Sequence, residues 1–196
     1  MLPFTRWITP TNVPKRFTTQ MYVYLLPLES KAGAARDTES VIPTPTHDGG
    51  LEHTAVAFDD VKDWLARAAS GDIILYPPQM YLLKLLGEFL TGPGDYAAQR
   101  EALKAFLNKV PTGNPAHPTA NIPWGDKVIS PIPLNVERAD GRRILQLHSP
   151  GPELKGSNRG GDYDRVVLVN FTPQGARGVE VVPREEVEGG KDKAKL

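Results

Sequence analysis

A strand pattern close to the N-terminus most constrains how this 196-residue chain can fold. Phe17 to Leu26 is rich in aromatic and β-branched side chains and stops at Pro27, which favours an extended strand over a helix. The pattern comes so early that we expect no preceding segment with which the strand can pair. The sequence therefore predicts that the chain begins in the middle of a domain.

Helix signals follow in the first half of the chain. A short strand is predicted over residues 52–58, and an aspartate at position 59 or 60 is expected to cap the first helix, which Gly71 ends. A Pro-Pro pair begins the second helix, because proline is well tolerated in the first turn. Apolar residues at helical spacing predict the third helix. The second and third helices are predicted over residues 77–90 and 95–109.

The second half reads mainly as strands, and Asp140-Gly141 is a strong hairpin signal between the first two of them. The predicted strands are Ile132–Glu137, Arg143–His148, Arg165–Phe171 and Gly178–Val182. Helices and strands together predict an α/β fold. We expect four segments: residues 1–110, a proline-rich connector over 111–133, a β-rich extension over 134–183, and a charged, disordered tail over 184–196.

Composition excludes several classes of function. Lysine plus arginine and aspartate plus glutamate number 23 each, so no basic field favours nucleic acid. No apolar run is long enough to span a bilayer, so we expect no membrane partner. Cysteine is absent, which excludes thiolate chemistry and fits an intracellular compartment. The histidines lack metal-ligand spacing. The glycine-rich run 156–161 lacks the ending of a phosphate-binding loop and is predicted to be a hairpin loop.

The sequence ends in Ala194-Lys195-Leu196, a close variant of the Ser-Lys-Leu peroxisomal address. An import receptor reads such a tripeptide at a free C-terminus. The alternative is a lysine-rich solvated tail that happens to end in leucine.

Two segments carry a specific family resemblance. The chain resembles the second half of a Nudix hydrolase, in the branch of peroxisomal coenzyme A and acyl-coenzyme A diphosphatases, over RWITPTNVPKRFTTQMYVYLLPL (6–28) and over residues 48–90. That branch has a Trp-x-Thr-Pro segment, an Arg-Phe strand and a Pro-Pro-Gln-x-Tyr helix start. The matching residues are Trp7, Thr9, Pro10, Arg16, Phe17, Thr19, Glu52, Pro77, Pro78, Gln79 and Tyr81. Phe58 stands where the branch usually has tryptophan.

The resemblance implies a partial Nudix α/β/α sandwich with a mixed sheet over residues 1–110, followed by a C-terminal β-hairpin extension. An intact relative would hydrolyse coenzyme A or acyl-coenzyme A into a phosphopantetheine and an adenosine bisphosphate. The branch contains peroxisomal members, in agreement with the C-terminal tripeptide. We therefore expect the protein to lie in the peroxisome, with the cytoplasm as the alternative location.

The sequence departs from the family at its catalytic motif. The Nudix box, Gly-x5-Glu-x7-Arg-Glu-U-x-Glu-Glu-x-Gly-U with U a bulky aliphatic residue, holds Mg²⁺ or Mn²⁺ through its glutamates, and it is absent from residues 1–196. In the family it precedes the Arg-Phe strand, so we expect it to lie before Met1. We therefore expect no tight metal binding and no catalytic residue here, with Glu52 as the sole candidate for an extra metal-binding or base carboxylate.

Two hypotheses from different classes remain. The chain is either part of an enzyme, through a truncated gene model or an alternative start, or a short protein that lost its box and kept a ligand-binding or scaffolding role.

The resemblance suggests a substrate-binding group of Arg16, Trp7, Phe17 and Gln79. A guanidinium at Arg16 suits a phosphate, with a strand-edge salt bridge as the alternative. Trp7 and Phe17 are candidates to flank the adenine or pantetheine moiety, with core packing as the alternative. Gln79 is a candidate ligand contact at the start of the second helix. For Glu52, the alternative to a metal-binding or base carboxylate is an exposed glutamate at the start of a strand.

Overall fold

The computed structural model describes residues 1–26, 57–136 and 138–188, and these have mixed α/β structure, which confirms the predicted fold class at that level. The strands in these ranges are β1 (Leu2–Ile8), β2 (Thr18–Val23), β3 (Val128–Ile129), β4 (Ile132–Leu134), β5 (Arg143–Leu147), β6 (Asp162–Thr172) and β7 (Gly175–Pro183). The helices are α1 (Val61–Ser70), α2 (Pro77–Gly87), α3 (Tyr96–Asn108) and α4 (Arg184–Glu188). No described helix has the length and apolar character needed to cross a membrane.

The N-terminal sheet has the order β2-β1-β3, with β1 antiparallel to β2 and parallel to β3. The strand predicted over residues 17–26 corresponds to β2 and is shorter than predicted. The expectation that no earlier segment pairs with this strand is wrong, because β1 pairs with it. Proline in a strand normally argues against that assignment. Here the register shifts between Pro3 and Arg6, and this irregularity lets β1 contain a proline near its start.

The three helices of the first half begin and end close to where their signals predict. Gly71 ends α1 with a left-handed φ of 86°, and Pro77 is the first residue of α2. The Asp95 carboxylate accepts a hydrogen bond from the backbone N–H of Ala98 at 2.9 Å and so caps α3. Asp60 occupies the cap position of α1, but its side chain makes no capping bond there. Of the predicted strand 52–58, residues 52–56 lie outside the described ranges, and 57–58 are not in a strand.

The C-terminal sheet has the order β4-β5-β6-β7 with every neighbouring pair antiparallel. The Asp140-Gly141 turn joins β4 to β5, as predicted, and Gly141 has a φ of 72°. Because β5 and β6 pair antiparallel, the glycine-rich run lies in the long loop between them, which confirms its assignment as a hairpin loop.

The predicted disorder of the tail is wrong for residues 184–188, which form α4; residues 189–196 lie outside the described ranges. The high charge of this segment suggested a solvated tail. Arg184 and Val187 are nevertheless both buried, so the segment packs on the rest of the chain. Most of the charged side chains of this helix face outward, whereas these two hold it in place.

One cluster of buried side chains joins the two sheets and α2 and α3. Phe4 stacks on Trp124 at a ring-centroid distance of 5.6 Å, and Trp124 lies 5.0 Å from Phe106. Trp124 comes from the proline-rich segment 111–133, so that segment contributes a central residue to the core. Leu147 and Val167 extend the same cluster into the C-terminal sheet.

Candidate functional site

The loop between β1 and β2 is closed by hydrogen bonds around Thr9. Its backbone N–H donates to the Phe17 carbonyl at 2.9 Å, and its hydroxyl accepts from the Phe17 N–H at 3.0 Å. The Arg16 Nε–H donates to the Thr9 carbonyl at 3.0 Å. These bonds close the end of the hairpin, which carries three consecutive residues, Lys15, Arg16 and Phe17. We name them the hairpin-end surface.

Arg16 is the cation of this surface whose position is best defined. Its Nη2 lies 2.6 Å from a carboxylate oxygen of Glu153, and both side chains are partly exposed, at 35% and 47%. The pKa of the Glu153 carboxyl is lowered, first by a hydrogen bond from its own backbone N–H and then by Arg16. Arg16 therefore forms the salt bridge considered above, with a partner that sequence reasoning did not find. A solvent-exposed pair of this kind is weak, so an anionic ligand can displace Glu153 at small cost.

Phe17 presents an aromatic ring to solvent beside the Lys15 cation. The side chain is 57% exposed, and the Lys15 ammonium lies 5.3 Å from the ring centroid. An exposed phenylalanine with a lysine ammonium over its ring offers a stacking surface together with positive charge, and Arg16 is the preceding residue in the sequence. Lys15 is a member of this surface that the sequence analysis missed, and its position directly before Arg16 was the available signal.

Trp7 lies in the core and not on the hairpin-end surface. It is 4% exposed, its ring meets Tyr81 edge to face at 5.5 Å, and its indole N–H donates to the Thr5 hydroxyl at 3.0 Å. This arrangement is the packing alternative considered for Trp7.

The other predicted site residues are not brought into this group. Gln79 is exposed in the first turn of α2. Glu52 and the tripeptide Ala194, Lys195 and Leu196 lie outside the described residues.

A buried polar network centred on Asp162 lies away from the surface residues that the sequence predicted. Its carboxylate accepts from the Tyr81 hydroxyl at 2.7 Å, from the Arg165 guanidinium at 3.1 Å and from the Asp164 backbone N–H at 2.9 Å. Asp162 is only 3% exposed. Burial, followed by the charge of Asp162, raises the pKa of Tyr81 well above its usual value. The network joins α2 to β6, and its bonds use the polar groups of all three side chains, so its role is structural.

Lys127 adds a buried cation beside this network. It is 2% exposed, and its ammonium donates to the carbonyls of Thr119 at 2.8 Å and Gly161 at 3.0 Å. Burial lowers the pKa of Lys127 to about 8, although Asp162 and Asp164 act in the opposite direction. The Asn114 backbone N–H also donates to the Asp164 carboxylate beside these groups, at 2.7 Å.

A separate cavity of about 130 Å³ lies between the C-terminal end of α1 and strand β7. Its walls include Ile73, Leu75, Met80, Arg177 and Val179. None of the residues predicted from the sequence lines it.

The metal that the family resemblance implies has no fitting ligand set in the described part of the chain. Within residues 1–26, 57–136 and 138–188, no three histidine, aspartate or glutamate side chains lie close enough together to hold a metal ion. Mg²⁺ and Mn²⁺ need several oxygen ligands converging on one point. The described residues bring no such ligand set together.

Comparison of the chain with protein-family models, with curated proteins and with solved structures found no match.

Proposed function

We propose that this chain is a Nudix-type domain of the coenzyme A diphosphatase branch, with a partial α/β/α sandwich, and that it binds a coenzyme A-type ligand without hydrolysing it unaided. The observation that carries the proposal is the exposed grouping of Lys15, Arg16 and Phe17. Residues 1–196 lack the Nudix box, and for this reason the proposal is one of binding without hydrolysis.

The chemistry of the hairpin-end surface matches the nucleotide end of coenzyme A. The guanidinium of Arg16 has five N–H donors in a planar fork, which suits phosphate oxygens. Phe17 offers a ring on which adenine can stack. Lys15 adds a second positive charge beside that ring. Aromatic rings stack on bases and cations pair with phosphates, and the hairpin-end surface carries both kinds of side chain.

The packing of the core supports the family part of the proposal. Trp7 belongs to the Trp-x-Thr-Pro segment and Tyr81 to the Pro-Pro-Gln-x-Tyr helix start, and their rings meet at 5.5 Å. The two segments with the most specific resemblance thus form one contact, as expected if both belong to a single inherited fold.

The purified chain is expected to show no Mg²⁺- or Mn²⁺-dependent hydrolysis of coenzyme A, because the carboxylates that activate water in this family are absent from its sequence. The measurement is chromatographic detection of phosphopantetheine and adenosine bisphosphate after incubation with either metal. Turnover above a buffer control would contradict the prediction, and an intact Nudix diphosphatase serves as the positive control.

Substitutions in the hairpin-end surface are expected to weaken coenzyme A binding. Arg16→Ala removes a charge-assisted contact worth about 1.5–3 kcal/mol, so the dissociation constant should rise by about tenfold or more. Phe17→Ala removes stacking worth about 1–3 kcal/mol and should give a similar loss. Isothermal titration calorimetry measures both changes.

The matched control is Arg138→Ala, since Arg138 is also a partly exposed arginine paired with a carboxylate, in its case that of Asp140 at 2.9 Å. It should bind coenzyme A like the unsubstituted chain. Adenosine bisphosphate should compete for the site and pantetheine should not. Equal affinities of all three variants, with thermal unfolding unchanged, would remove the hairpin-end surface from the proposal.

A further inference from the structure

The helix α4 is held to the sheet through its first residue. Arg184 is 7% exposed, and its Nε–H donates to the Tyr163 carbonyl at 2.5 Å. Its guanidinium carbon lies 4.2 Å from the centroid of the Tyr163 ring. Within α4 itself, Nη1 pairs with the Glu188 carboxylate at 3.2 Å. One buried arginine therefore provides most of the polar attachment of this helix.

The remaining contact of Arg184 is with a histidine. Its Nη2 lies 3.3 Å from Nδ1 of His148, at the end of β5. Arginine stays protonated and can only donate hydrogen bonds, so His148 must be neutral with an unprotonated Nδ1 to accept one. Protonation of His148 would remove the acceptor and place two cations in contact.

A second histidine lies beside this contact. His117 stacks on Tyr163 at 3.9 Å, and its ring centroid lies 5.9 Å from that of His148. Burial, then Arg184 and then His117 lower the pKa of His148. Burial and Arg184 also lower the pKa of His117, helped by Lys127, while Asp164 opposes the shift.

The apolar side of α4 covers the face of the C-terminal sheet that the main core does not reach. Val187 is 8% exposed and belongs to a separate buried cluster with four sheet residues. Those residues are Ile144, Val166, Leu168 and Val182. Detachment of α4 would expose this apolar face to water.

We propose that α4 is a pH-sensitive lid on the outer face of the C-terminal sheet, closed while neutral His148 accepts a hydrogen bond from Arg184 and opened when His148 takes up a proton. The docked form binds fewer protons than the undocked form, in which histidine has its ordinary pKa of about 6.5. Docking is therefore fully stable above that pH and weakens as the pH falls through the lowered pKa of His148. The lid does not depend on ligand binding at the hairpin-end surface.

Hydrogen exchange of the α4 backbone amides, corrected for the intrinsic pH dependence of exchange, tests the lid. Protection in the intact chain should fall by up to about tenfold between about pH 7.5 and about pH 5.5, the limit for one histidine with an undocked pKa of about 6.5. His148→Gln keeps an acceptor that does not titrate, so its α4 should stay protected at both pH values. In Glu188→Gln, the protection of α4 should still fall at the lower pH. This variant distinguishes the effect of protonating His148 from that of protonating Glu188, which also contacts Arg184.

Arg184→Gln provides a second variant that does not alter either histidine. Its α4 should exchange rapidly at both pH values, because the attachment is lost regardless of protonation. Equal protection of the unsubstituted α4 at the two pH values would overturn the lid. An unchanged pH response in His148→Gln would do so as well.

Discussion

Replacing Asp162 with alanine is expected to lower the free energy of unfolding by about 3–5 kcal/mol, because breaking a buried ion pair leaves its partners uncompensated. The carboxylate is the common acceptor for Tyr81, Arg165 and the Asp164 backbone. Without it, the Tyr81 hydroxyl loses its partner in a fully buried position. The loss should also loosen α2 from β6, since this bond joins the two elements.

Chemical denaturation monitored by tryptophan fluorescence measures this effect. The matched control is Asp126→Ala, which removes an aspartate that pairs with an arginine, Arg159, at 3.3 Å but is 60% exposed. That change should cost less than about 1 kcal/mol. A double-mutant cycle with Tyr81→Phe should show clear non-additivity. If Asp162→Ala is no more destabilising than the control, Asp162 does not hold α2 to the sheet.

Trp7→Ala is expected to destabilise the chain by about 3–5 kcal/mol, the usual range for removing a large aromatic side chain from a core. Trp7 is 4% exposed and fills the space between β1 and Tyr81 of α2. Its indole N–H also satisfies the buried hydroxyl of Thr5. The cavity left behind would lie at the contact between the two segments that carry the family resemblance.

Phe17→Ala is the comparison, because Phe17 belongs to the same hairpin but is 57% exposed. It should change stability by less than about 1 kcal/mol. Trp7→Phe should recover part of the lost stability by refilling the cavity. A Trp7→Ala chain that keeps its stability but loses coenzyme A binding would assign Trp7 to the ligand and not to the core.

Local signals predicted the helices well because the residues that begin and end them act within a few positions. Gly71 adopts the left-handed conformation that ends α1, and Asp95 caps α3 through the amide of Ala98. The Asp140-Gly141 turn fixed the β4–β5 hairpin for the same reason. These interactions need no knowledge of the rest of the chain.

Interactions between distant positions could not be predicted in this way. The bond from Tyr81 to Asp162 and the pair of Arg16 with Glu153 each join residues far apart in sequence. Strand β1 was missed because Pro3 masks its pattern, and α4 because its charge pattern hides the buried Arg184. Arg16 and Phe17 were proposed as site residues through a family resemblance, whereas their position next to Lys15 on the hairpin depends on the bonds that close it.

The most direct test of the proposed function is a nuclear magnetic resonance titration of coenzyme A into the isotope-labelled chain. Shift changes should concentrate on Lys15, Arg16, Phe17 and the amides that close the loop around Thr9, and Arg16→Ala should reduce them. An absence of shifts at millimolar coenzyme A, or shifts confined to other parts of the chain, would contradict the account.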